Sequence, residues 1–273
     1  MLVLWRAAAH LDFMFMTRSP RQLLGYLFSD ALLSVTAASG TLLLAERFDG
    51  IGPWTKHQIV FMLGYAIVAG GVLGALFGYN VLFISRRLGR GQLDHTLIQP
   101  RPLMLALLAE GFNPFSSSAE LILGLGLMLW AGGQLALPVS PGWLAMLGLN
   151  LVASATIIWS FSYLWGSLAF WAPRAAEEIS TSALTMMGQL KSFPLDGAGA
   201  PLTAGLLSAL PVGFVAWYPC RALLGVDPAP HSAIATPLAA AVLLAVALLA
   251  FRRGVKEYER TGSQRYSTFG HRR

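Results

Sequence analysis

Acidic side chains inside long apolar runs are the residues of this sequence that could do chemistry within a membrane. Asp30 and Glu120 stand inside such runs, and Glu110 stands just before the run that holds Glu120. Ionisable groups in transmembrane segments commonly serve ion paths or proton relays. A relay needs several such groups facing one another deep in the bilayer, whereas each of these lies close to a predicted membrane interface. We therefore favour a structural role for them, either snorkelling to the interface or a hydrogen bond between helices.

Motifs for nucleotide hydrolysis, covalent catalysis and metal binding are absent from the sequence. It contains no GxxxxGK[ST] phosphate loop, no GxSxG elbow, no HExxH pair and no Gly-Lys dipeptide. The five histidines are scattered over termini and loops, and Cys220 is the only cysteine. The chain is therefore predicted not to be an enzyme, and we expect neither a cofactor nor a metal of its own.

A polar, arginine-rich stretch between two apolar runs is the best candidate for contact with a soluble partner. It covers residues 84–102 and reads ISRRLGRGQLDHTLIQPRP. Its arginines mark it as cytoplasmic if the neighbouring runs cross a membrane. Within it, Leu93, Leu97 and Ile98 fall on one face of a short helix that two prolines end. Such a helix either docks onto a partner or only connects two spans, in which case its arginines set topology alone.

The composition is that of a membrane protein. Hydrophobic residues make up 55% of the chain and charged residues 12%, whereas a soluble globular chain carries about 25% charged residues. Long apolar runs without polar alternation, such as residues 238–250, predict an all-α polytopic membrane protein. The formal net charge of +6 is explained by basic residues that flank these runs, so no nucleic-acid partner is expected.

The apolar runs predict one transmembrane domain over residues 1–273, with about six spans and both termini in the cytoplasm. An N-terminal amphipathic helix is expected to lie along the membrane interface, and residues 179–190 are expected to form a surface helix. Pro211 and Pro219 should bend or break the fifth span. The predicted spans are residues 23–44, 59–83, 115–136, 143–171, 202–224 and 234–251.

A glycine stripe marks the second predicted span. Gly70, Gly74 and Gly78 recur every four residues and therefore share one helix face. Small residues on a common face let two helix backbones approach closely in lipid. We expect these glycines to serve helix packing.

Three passages of the sequence resemble the ABC-2 type permeases, in particular the small six-span permease subunits of bacterial ABC exporters. IGPWT at residues 51–55 resembles an outer turn of that family, the basic stretch resembles its I-x-x-G-x-L-D-x-x-L-x-R-P loop, and residues 192–225 resemble its proline-rich signature. Gln99 stands where the family usually has arginine, and Phe193 and Trp217 replace tyrosines. The matching positions are Gly91, Leu93, Asp94, Leu97 and Pro100 in the loop, and Pro194, Leu195, Pro211, Phe214, Tyr218, Pro219, Leu223, Leu224 and Gly225 in the signature.

The resemblance implies a permease subunit in a bacterial inner membrane, surrounded by lipids and paired with a second permease that is a related chain or a copy of itself. A separate cytosolic ATPase dimer, which would hold ATP and magnesium, would drive export by acting on residues 84–102. Leu93 and Leu97 would then insert into a groove of the ATPase, and Asp94 would either cap the short helix or accept a hydrogen bond across the interface. The coupling residues expected on this basis are Arg86, Arg87, Arg90, Gly91, Leu93, Asp94, Leu97 and Pro100.

Two other functions stay open at this point. A secondary carrier working alone should show inverted repeats and charge pairs near the membrane midplane. A non-transporting scaffold or an intramembrane enzyme is the third possibility, and an enzyme would need convergent polar groups. The sequence shows none of these features clearly, and it does not name a substrate.

Overall fold

The computed structural model of the chain describes residues 2–82, 84–226 and 230–262, and these residues are almost entirely helical. Two strands of two residues each, β1 (Gly50–Ile51) and β2 (Trp54–Thr55), pair antiparallel. The all-α fold class is confirmed. The α-helices are α1 (Leu2–Thr17), α2 (Pro20–Phe48), α3 (Lys56–Leu82), α4 (Ile84–Gly89), α5 (Leu93–Leu97), α6 (Leu103–Glu110), α7 (Ser118–Gln134), α8 (Pro141–Gly166), α9 (Pro173–Leu190), α10 (Ala200–Ser208), α11 (Trp217–Leu223) and α12 (Pro230–Thr261).

Helix length and composition identify the elements that can cross a membrane. Among the described residues, three helical stretches are long and apolar enough, and the number rises to at most five if each of two bent helix pairs counts as one span. The three stretches are Lys56–Gly78, Pro141–Phe170 and Ser232–Thr261. α7 has 17 residues, which gives a length of about 25 Å against a hydrocarbon core of about 30 Å. The chain is thus a multi-pass membrane protein, and the count of six spans stays a prediction.

α3 lies at the centre of the helix bundle, and α7 and α8 pack along it. Of its apolar window, 78% is buried, whereas the corresponding value for α12 is 22%. A helix that is apolar on all sides must be enclosed by protein or by lipid, and α3 is enclosed by protein. Inside the core, the Tyr65 hydroxyl of α3 and the Ser154 hydroxyl of α8 form a hydrogen bond of 3.0 Å.

α9 packs against α4 and α8, and the residue that follows it, Lys191, lies beside the middle of α3. Near the beginning of α9, the Glu177 carboxylate binds Arg86, just beyond the end of α3. Shortly after it ends, Asp196 accepts a hydrogen bond from Trp54, just before α3 begins. We expected a surface helix at residues 179–190. Within that stretch Ser180 and Met187 are buried and the other residues are exposed or half-buried, so the surface helix stays a prediction.

α10 and α11 begin and end near the same end of the bundle. Asp196 precedes α10 and forms an ion pair of 2.6 Å with Arg221 of α11. The Trp143 indole, at the start of α8, donates a hydrogen bond of 2.9 Å to the Leu223 carbonyl. α10 and α11 belong to one of the two bent helix pairs, and the angle between its two halves is 75°. A pair bent in this way is either a broken span or a re-entrant loop, and the fifth span at residues 202–224 stays a prediction.

The predicted glycine stripe lies where neighbours approach α3. A Cβ on Gly74 would come within 2.6 Å of the Ser117 hydroxyl, and one on Gly78 would come within 2.8 Å of the Gly111 carbonyl. Gly78 adopts φ 50° and ψ 164°, which breaks the helix. The expected helical register therefore holds for Gly70 and Gly74 but not for Gly78.

Two glycines that the stripe did not include bring α3 and α7 into close contact. A Cβ on Gly64 would lie 2.8 Å from the Gly124 carbonyl, and one on Gly124 would lie 2.8 Å from the Gly64 carbonyl. The two backbones thus touch at these positions, as small residues permit in membrane helices.

Candidate functional site

The arginine-rich stretch at residues 84–102, called the basic segment from here on, folds as α4 and α5 joined by a tight turn. The turn passes through Gly91, whose φ of 67° is in the left-handed region that favours glycine. The Gly91 and Gln92 amides donate hydrogen bonds back to the carbonyls of Leu88 and Arg87. Gly91, one of the positions that match the family loop, is therefore needed so that the chain can reverse direction between the two short helices.

Side-chain contacts tie the basic segment to the far end of the chain. The Arg86 guanidinium lies 3.0 Å from the Glu177 carboxylate of α9. The hydroxyl of Tyr258 in α12 donates a hydrogen bond to the Asp94 carboxylate. Within the segment, Arg87 donates a hydrogen bond of 3.4 Å to the Thr96 hydroxyl. The segment is therefore anchored to α9 and α12.

The leucines of the basic segment do not face outward as we expected. Leu93 is 0% exposed and belongs to the protein's own core, and Leu97 is half-buried against that core. The prediction that Leu93 inserts into a groove of a partner is therefore wrong, because the Leu93 side chain is already buried within the bundle. Ile98, by contrast, is 81% exposed. Asp94 does not cap α5, since Gln92 occupies the N-cap position.

Exposed residues remain in the turn and at the end of the basic segment, and together we call them the tip. The tip combines one large apolar side chain, Ile98, with basic and polar neighbours. Among the expected coupling residues, Arg90 and Pro100 lie on it, whereas Gly91 is buried and Arg86, Arg87 and Asp94 are half-buried. The tip consists of Arg90, Gln92, His95, Ile98, Gln99, Pro100 and Arg101.

A second polar cluster, the aspartate cluster, lies at the opposite end of α3. The Asp196 carboxylate accepts hydrogen bonds from the indoles of Trp54 and Trp217, at 2.5 and 2.6 Å, and from the Arg221 guanidinium at 2.6 Å. The Arg221 guanidinium also lies 4.8 Å from the centre of the Trp217 ring. We did not single out Asp196 from the sequence, although two of the family-like passages meet on it.

The family-signature residues shape the chain around the aspartate cluster. Pro194 precedes the 3-10 turn Leu195–Gly197, and Pro211 ends the α10 half of the bent pair. Pro219 lies in the first turn of α11, where its missing N–H breaks no helical bond. Tyr218 stacks on Phe214 with ring centres 5.1 Å apart. Pro211 thus breaks the helix as predicted, and Pro219 does not.

Ionisable side chains also meet beside the middle of α3. Glu120 of α7 and Lys191, which directly follows α9, both lie next to Gly70. Asp30 of α2 lies within electrostatic range of Glu120. Sequence reasoning singled out the two acids and missed Lys191, because a residue in a breaker-rich stretch gives no signal of where it folds. Among the described residues, no group of three or more His, Cys, Asp or Glu side chains is arranged to hold a metal ion.

Comparison with known proteins agrees with the resemblance noted in the sequence. A family model described as an ABC-2 family transporter protein matches residues 31–262, which include the basic segment, the aspartate cluster and most of the helix bundle. Neither a search of curated proteins nor a search of solved structures gives a match.

Proposed function

Because the chain belongs to the ABC-2 family of transporter proteins, which makes it a permease-type membrane protein, we propose that it is the permease subunit of an ATP-driven exporter. A separate cytosolic ATPase dimer, with its own ATP and magnesium, supplies the energy in this proposal. A second permease, either a related chain or a copy of this one, completes the assembly in a bacterial inner membrane.

One observation carries the proposal: the basic segment has buried anchors and an exposed tip. Ile98 on the tip is exposed, whereas Leu93 only five residues earlier is fully buried. Glu177 and Tyr258 connect the same segment to two long helices. A push on the tip is therefore transmitted to α9 and α12, and such rigid-body displacement of packed helices is a recurring way to switch between two states.

The chemistry of the tip indicates the kind of surface it fits. Ile98 offers an apolar anchor, and the exposed Arg90 and Arg101 give its surroundings a positive charge. Interfaces of this type combine a central apolar pocket with a polar rim of complementary charge. We infer that the ATPase presents an apolar pocket rimmed by acidic side chains to this segment.

Replacement of Ile98 by aspartate tests the proposal. If Ile98 is fully buried on docking, its loss removes about 1.5–3 kcal/mol, which is roughly a 10- to 150-fold weaker association. We expect Ile98→Asp to lose most of the ATPase that co-purifies with the wild-type chain from its own membranes, together with substrate-stimulated ATP hydrolysis.

The controls are Ile98→Leu, which keeps an apolar anchor, and Leu93→Ala, which removes a buried side chain of the permease itself. Ile98→Leu should behave as wild type, and Leu93→Ala should lower the thermal stability of the permease by about 2–5 kcal/mol. If Ile98→Asp retains wild-type amounts of ATPase and stimulated hydrolysis, the segment is only a connector and the coupling proposal fails.

The charged groups beside the middle of α3 favour a second candidate, a secondary carrier driven by an ion gradient. Glu120 and Lys191 place opposite charges near each other beside Gly70, and such carriers use opposite charges near the membrane midplane. Transport into proteoliposomes separates the two candidates. An exporter needs added ATPase and ATP and is insensitive to a proton ionophore, whereas a secondary carrier works without ATP and stops when the ionophore is added.

A further inference from the structure

A cavity of about 320 Å³ opens beside the middle of α3, between α2, α7 and the end of α9. Leu33, Leu63 and Ile67 give it apolar walls, and Glu120 and Lys191 contribute its charged groups. This volume lies at the lower end of the range of small-molecule sites, about 300–1,000 Å³. Apolar walls with a few convergent polar groups are also the usual composition of such sites.

The two charged groups face each other across a gap. The Lys191 ammonium lies 3.0 Å, and a carboxylate oxygen of Glu120 3.5 Å, from the position where a Cβ on Gly70 would lie. The two groups are therefore no more than about 6.5 Å apart, the sum of these distances. Neither forms a direct ion pair within the part of the chain that the structure describes. Since Gly70 has no side chain, the space between them stays open.

The surroundings make an unbridged charge pair costly. Lys191 and Glu120 are both half-buried, and charged groups beside apolar walls require a partner at close range. Asp30 adds a second negative charge near Glu120. A purely anionic ligand would leave Glu120 without a counter-charge, and a purely cationic ligand would leave Lys191 without one. A ligand group with both charges satisfies both sides of the gap.

We propose that this cavity binds the head group of a zwitterionic amphiphile, with its cationic group on Glu120, its anionic group on Lys191 and its apolar part along Leu33, Leu63 and Ile67. The assignment of this amphiphile as the transported substrate rests on the proposed function. The binding itself does not depend on an ATPase.

Photolabelling of the full-length chain in a non-ionic maltoside tests the binding. The probe is an alkyl phosphocholine that carries a diazirine in its chain. An unlabelled alkyl phosphocholine should compete at least tenfold better than an alkyl phosphate or an alkyl trimethylammonium of the same length. Equal competition by either singly charged compound overturns the proposal, and this result needs no variant to fold.

Variants of the two charged residues locate the site. Lys191→Gln and Glu120→Gln should each reduce labelling at least tenfold, as should Gly70→Ala, which fills the gap. The controls Lys256→Gln and Glu259→Gln alter exposed charges on α12 and should leave labelling unchanged. The doubly reversed variant Lys191→Glu with Glu120→Lys recreates the charge pair and should restore labelling. Unchanged labelling in the single variants overturns the proposal.

Two further measurements identify where the amphiphile comes from. If the amphiphile is a bilayer lipid held as a fixed part of the structure, phosphatidylethanolamine should co-purify at one molecule per chain and be lost in Lys191→Gln. This result would overturn the assignment as transported substrate and leave the binding proposal intact. A transported amphiphile should exchange with the probe and cross the membrane of proteoliposomes that contain the complete transporter. Loss of ATPase coupling in Ile98→Asp with retained labelling would show that the two proposals are independent.

Discussion

The hydroxyl of Tyr258, in the last turn of α12, donates a hydrogen bond to the carboxylate of Asp94 in the basic segment, 164 positions earlier in the chain. The Tyr258 ring is buried and packs edge-on against Phe170, with ring centres 6.0 Å apart. A hydrogen bond to a carboxylate is stronger than one between neutral groups. The helix that ends the described chain therefore fixes the segment that we propose to couple the permease to its ATPase.

Replacement of Tyr258 by phenylalanine isolates this hydrogen bond, since the ring and its packing stay in place. We expect the variant to lose about 1.5–3 kcal/mol of local stability, the usual contribution of a hydrogen bond to a charged group. Hydrogen–deuterium exchange should show faster exchange over Leu93–Leu97. The control is Tyr26→Phe, which alters an exposed tyrosine of α2. Unchanged exchange over α5 would mean that Leu93 and its neighbours hold the segment without Asp94.

The ion pair between Arg86 and Glu177 should contribute less. Their side chains are 30% and 26% exposed, so water screens part of the attraction. We expect a coupling energy of about 1 kcal/mol in a double-mutant cycle of Arg86→Gln and Glu177→Gln, measured by thermal unfolding in detergent. The reversed pair Arg86→Glu with Glu177→Arg should recover part of the stability lost in either single reversal. Strictly additive effects would contradict a direct contribution of the pair.

The aspartate cluster has a built-in reporter in Cys220, which is the only cysteine of the sequence and is 0% exposed in α11. Asp196→Asn removes the charge that Arg221 and two indoles share, and each such hydrogen bond contributes about 1.5–3 kcal/mol. We expect α11 to open more often and a maleimide to modify Cys220 at least tenfold faster than in the wild type. Asp49→Asn, in the nearby β1 turn, serves as the control. An equally slow reaction in Asp196→Asn would show that apolar packing alone closes this end of the bundle.

Much of the fold was predictable because the apolar runs are long and nearly uninterrupted. Residues 59–83 and 143–171 were expected as spans and correspond to α3 and α8. The ion pair of Glu177 in α9 could not be predicted, because hydropathy records that a side chain is charged and does not record that it meets Arg86. A polar residue paired within the bundle and a polar residue in water look the same in a sequence.

The candidate site was predictable only in part, for a related reason. The motif around Asp94 located the basic segment, and its outward residues could not be deduced because Leu93 and Ile98 have the same apolar character. What separates them is that α5 packs against this chain's own core on the Leu93 side. Lys191 was missed because its meaning depends on Glu120, more than 70 positions away in the chain. Such pairings exist only once the helices have packed.

Alanine at three glycines tests whether close contact between α3 and α7 holds the bundle together. Gly126 has nothing within 4 Å of a Cβ, so Gly126→Ala should be neutral or stabilise the protein by about 0.5–1 kcal/mol through helix propensity. Gly74→Ala meets the Ser117 hydroxyl, which can rotate away, and we expect a small loss of stability. Gly64→Ala meets the Gly124 carbonyl at 2.8 Å, and a backbone atom cannot move aside without separating the helices.

We therefore expect Gly64→Ala to lose about 1–3 kcal/mol, the usual cost of overpacking, and to have the lowest folded yield of the three variants. Fluorescence-detected gel filtration after heating a temperature series measures all three under identical conditions, with Gly126→Ala as the matched control on α7. The order of stability should be Gly126→Ala, Gly74→Ala and Gly64→Ala. Equal stability of Gly64→Ala and Gly126→Ala would contradict the backbone contact between α3 and α7, because only one of these two added methyl groups has an atom in its way.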